Sequence, residues 1–215
     1  MSDNTGTEFF PAHIDRLQKW VEDTLTLLGE EGVRMEGVVF HSGSEKLFYG
    51  DDAHIPFRAH ASYLHWLPVA RPDQLVLVQP GKKPVWFRVI PDDFWYDTEA
   101  PCEAWYADQF EIVQTNDSKK VVDHLPASRH FAFIGEQTEF ASRLGLPPHL
   151  HNEPNLVNRL DYLRSIKDAY EVTQTRLAHH LAIRSHVAAE QAFREGESER
   201  GINAAYLNAI GADEY

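Results

Sequence analysis

The chain changes its texture once, at Pro147-Pro148. Before that pair, short apolar runs are bounded by Gly, Pro, Asn and Asp. After it, apolar and small residues recur at spacings of three and four with few breakers. Runs of the first kind make strands and turns, and spacings of the second kind make helices. A chain with this switch reads as a mixed α/β part followed by a helical part. Residues 1–10 are expected to be a disordered tail, 11–150 an α/β domain, and 151–215 a linker with the first helices of a second domain.

Within the first part, Ile14, Leu17, Val21, Leu25 and Leu28 share one helical face, and Gly29 and Gly32 end it. Gly37-Val38-Val39-Phe40 reads as a buried strand with His41-Ser42-Gly43 as its exit. Residues 50–60 read as a loop. Strands are expected at 63–67, 75–78 and 84–90, the last two joined as a hairpin through Pro80-Gly81. Short helical turns packed on the sheet are expected over 91–106, and further strands at 110–113 and 130–134. Helices are expected over 118–125 and 137–144, the latter stopped by Gly145.

The second part predicts helices over 155–165, 168–194 and 197–210. Asp168 and Ser198 are the expected N-caps, and Gly196 is the stop between the last two. On the long helix Ala178, Leu181, Ser185, Ala188 and Ala192 form a stripe of mostly small side chains. Small residues allow close approach of another element. A helical pair cannot bury such a stripe unaided, so it must dock on something else.

The net charge of −13 disfavours binding to nucleic-acid phosphates. The basic pairs Lys82-Lys83 and Lys119-Lys120 make no patch. No run of about 18 apolar residues occurs to span a membrane. The first residues carry no basic-then-apolar leader pattern. Cys102 is the only cysteine, so no internal disulfide can form. Together these features predict a cytoplasmic protein that binds neither nucleic acid nor membrane.

The 12 histidines raise the question of metal. No HExxH is present, and one cysteine cannot make CxxC. His149-Leu150-His151 reads as a solvated loop. His179 and His180 are neighbours on a helix and diverge by about 100°. His41, at a strand end, is expected to be a hydrogen-bonding corner. Asp92 and Asp93 read as the start of a helical turn. Asp51 and Asp52 are adjacent carboxylates in a loop, suited to a cation or an amine, although an acidic turn alone would also explain them. No GxSxG, P-loop or GxGxxG appears.

Four blocks nevertheless resemble one family. The first is Gly37-Val38-Val39-Phe40-His41-Ser42-Gly43, continued by Phe48, Asp51-Asp52, Pro56-Phe57 and Trp66-Leu67-Pro68-Val69. The second is Pro84-Val85-Trp86-Phe87 with Pro91, Asp93, Phe94, Trp95 and Trp105. The third is Ile134-Gly135-Glu136. The fourth runs from Tyr162-Leu163-Arg164-Ser165-Ile166-Lys167 through Ala188-Ala189-Glu190 to Ala205-Tyr206-Leu207. The set resembles the bacterial Xaa-Pro dipeptidases (prolidases) and organophosphorus acid anhydrolases of the creatinase, prolidase and aminopeptidase P superfamily, over their amino-terminal half.

The resemblance implies a mixed-sheet, ribonuclease H-like amino-terminal domain, followed by the first helices of a pita-bread catalytic domain. It implies a homodimer acting on Xaa-Pro dipeptides with two divalent metals, manganese in most of the family. Their ligands would lie downstream, so these 215 residues would bind no metal and be inactive alone. It places Asp52, with Asp51 beside it, at the edge of the neighbouring subunit's pocket, and makes Tyr215 a weaker candidate for the pocket wall. The alternative is an inactive binding or scaffold protein derived from the same family.

Overall fold

The computed structural model describes residues 5–95 and 101–211. They form two units: Phe10–Ile166, and a second made from Lys167 onward together with the segment before Phe10.

The sheet of the first unit has strands β1 (Gly37–His41), β2 (Leu75–Val78), β3 (Val85–Val89), β4 (Glu111–Thr115) and β5 (Phe131–Ile134). Their order is β4-β3-β2-β1-β5. β1 and β2 are antiparallel, as are β2 and β3, while the outer pairs β1/β5 and β3/β4 are parallel. Strands β1, β2 and β5 are buried on both faces, which is why they read as unbroken apolar runs. Period two still sorts them. Val39, Leu75, Leu77, Phe87, Phe131 and Phe133 join one cluster with Val121, Phe140 and Leu144. The alternate residues Val38, Phe40, Val76 and Trp86 are equally buried and point the other way.

Helix α1 (Phe10–Glu30) packs on β1, on α3 (Ala104–Ala107) and on α6 (Pro154–Arg164). Its stripe Ile14, Leu17, Val21, Leu25 and Leu28 is buried as the spacing requires. The helix runs past Gly29 and ends at Gly32, whose φ of 96° supplies the left-handed terminus. It also begins inside the segment expected to be a tail. Phe10 is buried with its ring edge-on to Trp105 at 5.1 Å, and that contact orders the start. Because α6 packs on α1, the change of unit comes after Ile166 rather than at 150/151.

One expected strand is a helix. Residues 61–64 form α2 (Ala61–Leu64), where His60 accepts from the Ser62 N–H at 3.3 Å. Tyr63, Trp66 and Leu67 are buried while Leu64 is exposed, a helical spacing that an all-apolar run conceals. The short helices α4 (Val121–His124) and α5 (Thr138–Arg143) lie where expected. The aromatic stretch after β3 is not packed on the sheet throughout. Phe94 and Trp95 are exposed in a turn closed by the Trp95 N–H on the Asp93 carboxylate at 2.7 Å. Residues 96–100 lie outside the described residues.

In the second unit α7 (Ala169–Arg194) opens with a complete capping box. Asp168 accepts from the Glu171 N–H at 3.0 Å, and Glu171 accepts from the Asp168 N–H at 3.1 Å. Gly196, at φ 81°, turns the chain into α8 (Glu199–Asn208), capped by Ser198. Ser185 and Ala192 of the small-residue stripe are buried, whereas Leu181, Ile183, Val187 and Phe193 remain exposed.

One buried polar group ties three strand ends together. Gln74, 1% exposed, stands just before β2. Its amide donates to Val89 O at 2.7 Å and Pro72 O at 3.1 Å. Its carbonyl oxygen accepts from Trp86 Nε1 at 3.2 Å and from the Val89 N–H at 3.3 Å. Its backbone exchanges bonds of 2.9 Å with Ser42, donating to Oγ and accepting from N–H. Replacing Gln74 with Leu keeps most of the volume but strands those partners. Urea unfolding of the variant should show a loss of about 3 kcal/mol. A loss under roughly 0.5 kcal/mol, the range of ordinary surface changes, would contradict this.

Candidate functional site

At its exit from the sheet, β1 becomes a projecting arm. His41, Ser42 and Gly43 are buried, then residues 45–56 are exposed. The segment expected to be a structureless loop is a small hairpin. The Ile55 N–H donates to Lys46 O at 2.8 Å, and the Phe48 N–H donates to Ala53 O at 3.0 Å. Leu47 and His54 pair as an antiparallel bridge. Glu45 and His54 approach to 3.1 Å across the arm. Leu47-Phe48-Tyr49 ahead of Gly50-Asp51-Asp52 is a strand-then-turn signal. A loop boundary drawn at residue 50 cuts it in two.

Asp51 and Asp52 lie together at the tip, both exposed. They have different work. Asp51 Oδ1 accepts from the Ala53 N–H at 2.9 Å and so closes the turn. That amide, and after it the Asp52 side chain, hold the Asp51 carboxyl below its ordinary value. The Asp52 side chain, like that of Asp51, stays exposed at the tip. Around them Leu47, Phe48 and Tyr49 are at least half exposed, and Tyr49 fully so.

The root of the arm is polar and buried. His41 is sealed from solvent and stacks on Phe140 at 4.3 Å. Neither of its ring nitrogens has a hydrogen-bond partner, so it is not the hydrogen-bonding corner expected of it. Its Nε2 stands 3.6 Å from Asp73 Oδ1, too far for a good bond. Asp73 accepts from Ser44 Oγ, and its N–H donates to Gly43 O at 2.7 Å. Burial pushes the Asp73 carboxyl up, but His41, Ser44 and Arg143 outweigh it and hold the group below its ordinary value. On the other flank Lys46 Nζ bonds Glu136 at 2.9 Å, which holds that carboxyl down as well. A cleft beneath the arm is lined by Gly43, Lys46, Pro56, Phe57, Arg58 and Glu136.

The other candidates are dispersed. His149 lies in a 3-10 turn that ends at the buried Leu150, and His151, which follows it, bonds Leu146 O at 3.1 Å. This stretch is anchored on β5 rather than freely solvated, because the Asn152 amide clasps both the N–H and the carbonyl of Gly135. His179 and His180 are exposed on α7. Asp92 accepts from Asn116 Nδ2 at 2.8 Å. Cys102 is exposed. Tyr215 lies outside the described residues. Neither unit by itself gathers three His, Cys, Asp or Glu donors among the described residues. No helix among them is long and apolar enough to cross a membrane.

Sequence reading missed Ser44, Asp73 and Gln74. Only Asp73 carried a signal, as the turn residue between Pro72 and the strand.

Comparison with known proteins agrees on one family. The family described as Xaa-Pro dipeptidase, N-terminal domain, matches residues 8–162. An Xaa-Pro dipeptidase of Pseudoalteromonas atlantica is 36% identical over 205 residues, covering 94% of this chain and 45% of that protein. One from Aeromonas hydrophila is 35% identical over 210 residues, covering 95% and 46%. The chain therefore spans about half the length of these relatives. Among solved structures, aminopeptidase P from E. coli in a low-pH form superposes with a TM-score of 0.61 at 12% identity, over 95% of this chain and 49% of that one. At that identity the likeness is one of fold alone, a mixed α/β domain with helices following. With 8–162 matched to the family and a third of the residues shared along nearly the whole chain, the protein belongs to the Xaa-Pro dipeptidase amino-terminal domain family.

Proposed function

We propose that these residues are the dimer-forming, pocket-shaping amino-terminal part of a dipeptidase that hydrolyses Xaa-Pro dipeptides. The observation that carries the reading is the arm. Its tip holds a carboxylate and its flanks hold exposed Leu47, Phe48 and Tyr49. A cluster of large apolar side chains on a projecting hairpin is costly in water and calls for a covering partner. A second copy of the chain meets that need. It would also bring Asp52 to the mouth of the neighbour's pocket. The free α-amino end of a dipeptide is cationic at neutral pH, and a carboxylate at the rim pairs with it.

The reaction itself needs more than these residues. Two divalent metals, manganese by family resemblance, would supply a hydroxide near neutral pH and polarise the scissile carbonyl. Among the described residues, neither unit by itself gathers donors that fit such a pair, and we propose that its ligands come from sequence outside these 215 residues. The exposed Leu181, Ile183, Val187 and Phe193 on α7 support the same view, since a catalytic half would cover them.

In a protein carrying the remaining half, Asp52→Ala should raise KM for an Xaa-Pro dipeptide about tenfold, the worth of one charge-assisted hydrogen bond. Its metal content should stay unchanged. Unaltered kinetics would remove Asp52 from the site. The 215-residue chain alone, assayed with added manganese, should release no proline. Metal-stimulated turnover would overturn the assignment of the ligands elsewhere. A longer protein that binds dipeptide but never cleaves it would favour the inactive binding or scaffold reading instead.

A further inference from the structure

The arm can present Asp52 reproducibly only if its root is held. Past the β1/β2 register, Ser42 and Gln74 exchange two bonds, and the Asp73 N–H adds one more backbone bond, to Gly43 O. These bonds use main-chain groups and the Ser42 hydroxyl, so the Asp73 carboxylate is not needed for the ladder, and yet the chain places it with care. Asp73 adopts φ 55°, a left-handed conformation that Asp and Asn tolerate better than other side-chain-bearing residues. From there its N–H reaches Gly43 O at 2.7 Å and its carboxylate takes the Ser44 hydroxyl. Gly43 itself turns at φ 104°, so the chain leaves the strand through a position that favours glycine.

Buried His41 stands behind the same carboxylate at 3.6 Å. On the far side Gln137 Nε2 meets Ser44 O at 3.5 Å. Lys46 meets Glu136 two residues further out. These side-chain ties thus converge on residues 43–46, the hinge of the arm, while the returning leg is held by the His60 N–H on Ser42 O at 2.8 Å.

We infer that Asp73 is a positioning residue: by gripping Gly43 and Ser44 it sets the direction in which the arm delivers Asp52. This rests on the proposed role of Asp52. A group acting through an arm should alter substrate capture and leave the chemical step alone. A group with a merely structural role would loosen the sheet as well.

Three variants test it. Asp73→Asn tolerates the left-handed φ but removes the charge. Ser44→Ala removes the hydroxyl, and Ser44→Thr restores it. NMR backbone order parameters are measured on the 215-residue chain, and KM and kcat on a protein carrying the remaining half. Asp73→Asn and Ser44→Ala should lower the order parameters over 45–55, toward about 0.6, while β1 and β2 stay near about 0.85. Both should raise KM roughly threefold to tenfold with kcat held within about twofold, as expected when the charge-assisted Ser44 bond is weakened to a neutral one (Asp73→Asn) or lost (Ser44→Ala), a change worth about 1 kcal/mol or somewhat more. Ser44→Thr should return both readouts to wild type.

An arm as ordered as wild type would overturn the inference. So would strands that loosen together with the arm, or a Ser44→Thr variant as impaired as Ser44→Ala. If Asp73→Asn does not fold, the two Ser44 variants decide alone. An arm loosened by these changes in a protein whose kinetics ignore Asp52→Ala sinks the Asp52 reading and leaves the positioning of the arm standing.

Discussion

The arrangement depends on Gln74. A primary amide offers two donors and an acceptor with two lone pairs. In Gln74 both ends are engaged, by Val89, Pro72 and Trp86, at a place with almost no access to water. A buried amide with its partners met is neutral to favourable, and one without them is costly. The knot therefore admits only the register in which Leu75 faces Phe87 and His41 faces Leu75. That register carries the pairing past His41 to Ser42 and, through the Asp73 N–H, to Gly43, where the chain leaves as the arm. It also puts Asp73, the preceding residue, against the arm's first two positions.

Much of this architecture was legible in the amino-acid sequence, and the failures have physical causes. Buried strands such as Val38-Val39-Phe40 and Leu75-Val76-Leu77-Val78 announce themselves, because a sheet covered on both faces needs continuous apolar runs. The same rule misleads at Tyr63-Leu64-His65-Trp66-Leu67, where three buried large residues on and just after a short helix imitate a strand. The capping of α7 by Asp168 and of α8 by Ser198 was readable because a cap is local. Gln74 and Asp73 were not, since their partners lie up to about thirty positions away in the chain, and nothing local marks a residue as the centre of a long-range polar knot. The arm falls between these cases: Leu47 to Asp52 holds a local hairpin signal, but only the fold reveals that the hairpin projects.

The site divides its labour among neighbouring carboxylates. Asp51 closes the turn through the Ala53 amide. Asp73 grips the root, and Glu136 steadies Lys46 from the β5 side. In the proposed reading Asp52 is the carboxylate that meets a ligand, and hydrogen-bond partners separate these adjacent residues where spacing does not. The family supplies the context: relatives twice as long carry the name Xaa-Pro dipeptidase, and this chain covers their first half.

In the proposed dimer the arm delivers Asp52 to a substrate held by another copy of the chain. The most direct measurement is a crystal structure of a protein carrying the remaining half, with an uncleaved Xaa-Pro dipeptide analogue bound. The account predicts Asp52 of one subunit within about 3 Å of the analogue's α-ammonium in the pocket of the other, the distance of a charge-assisted hydrogen bond. An arm folded back on its own subunit, with the ammonium held by other groups, would contradict it.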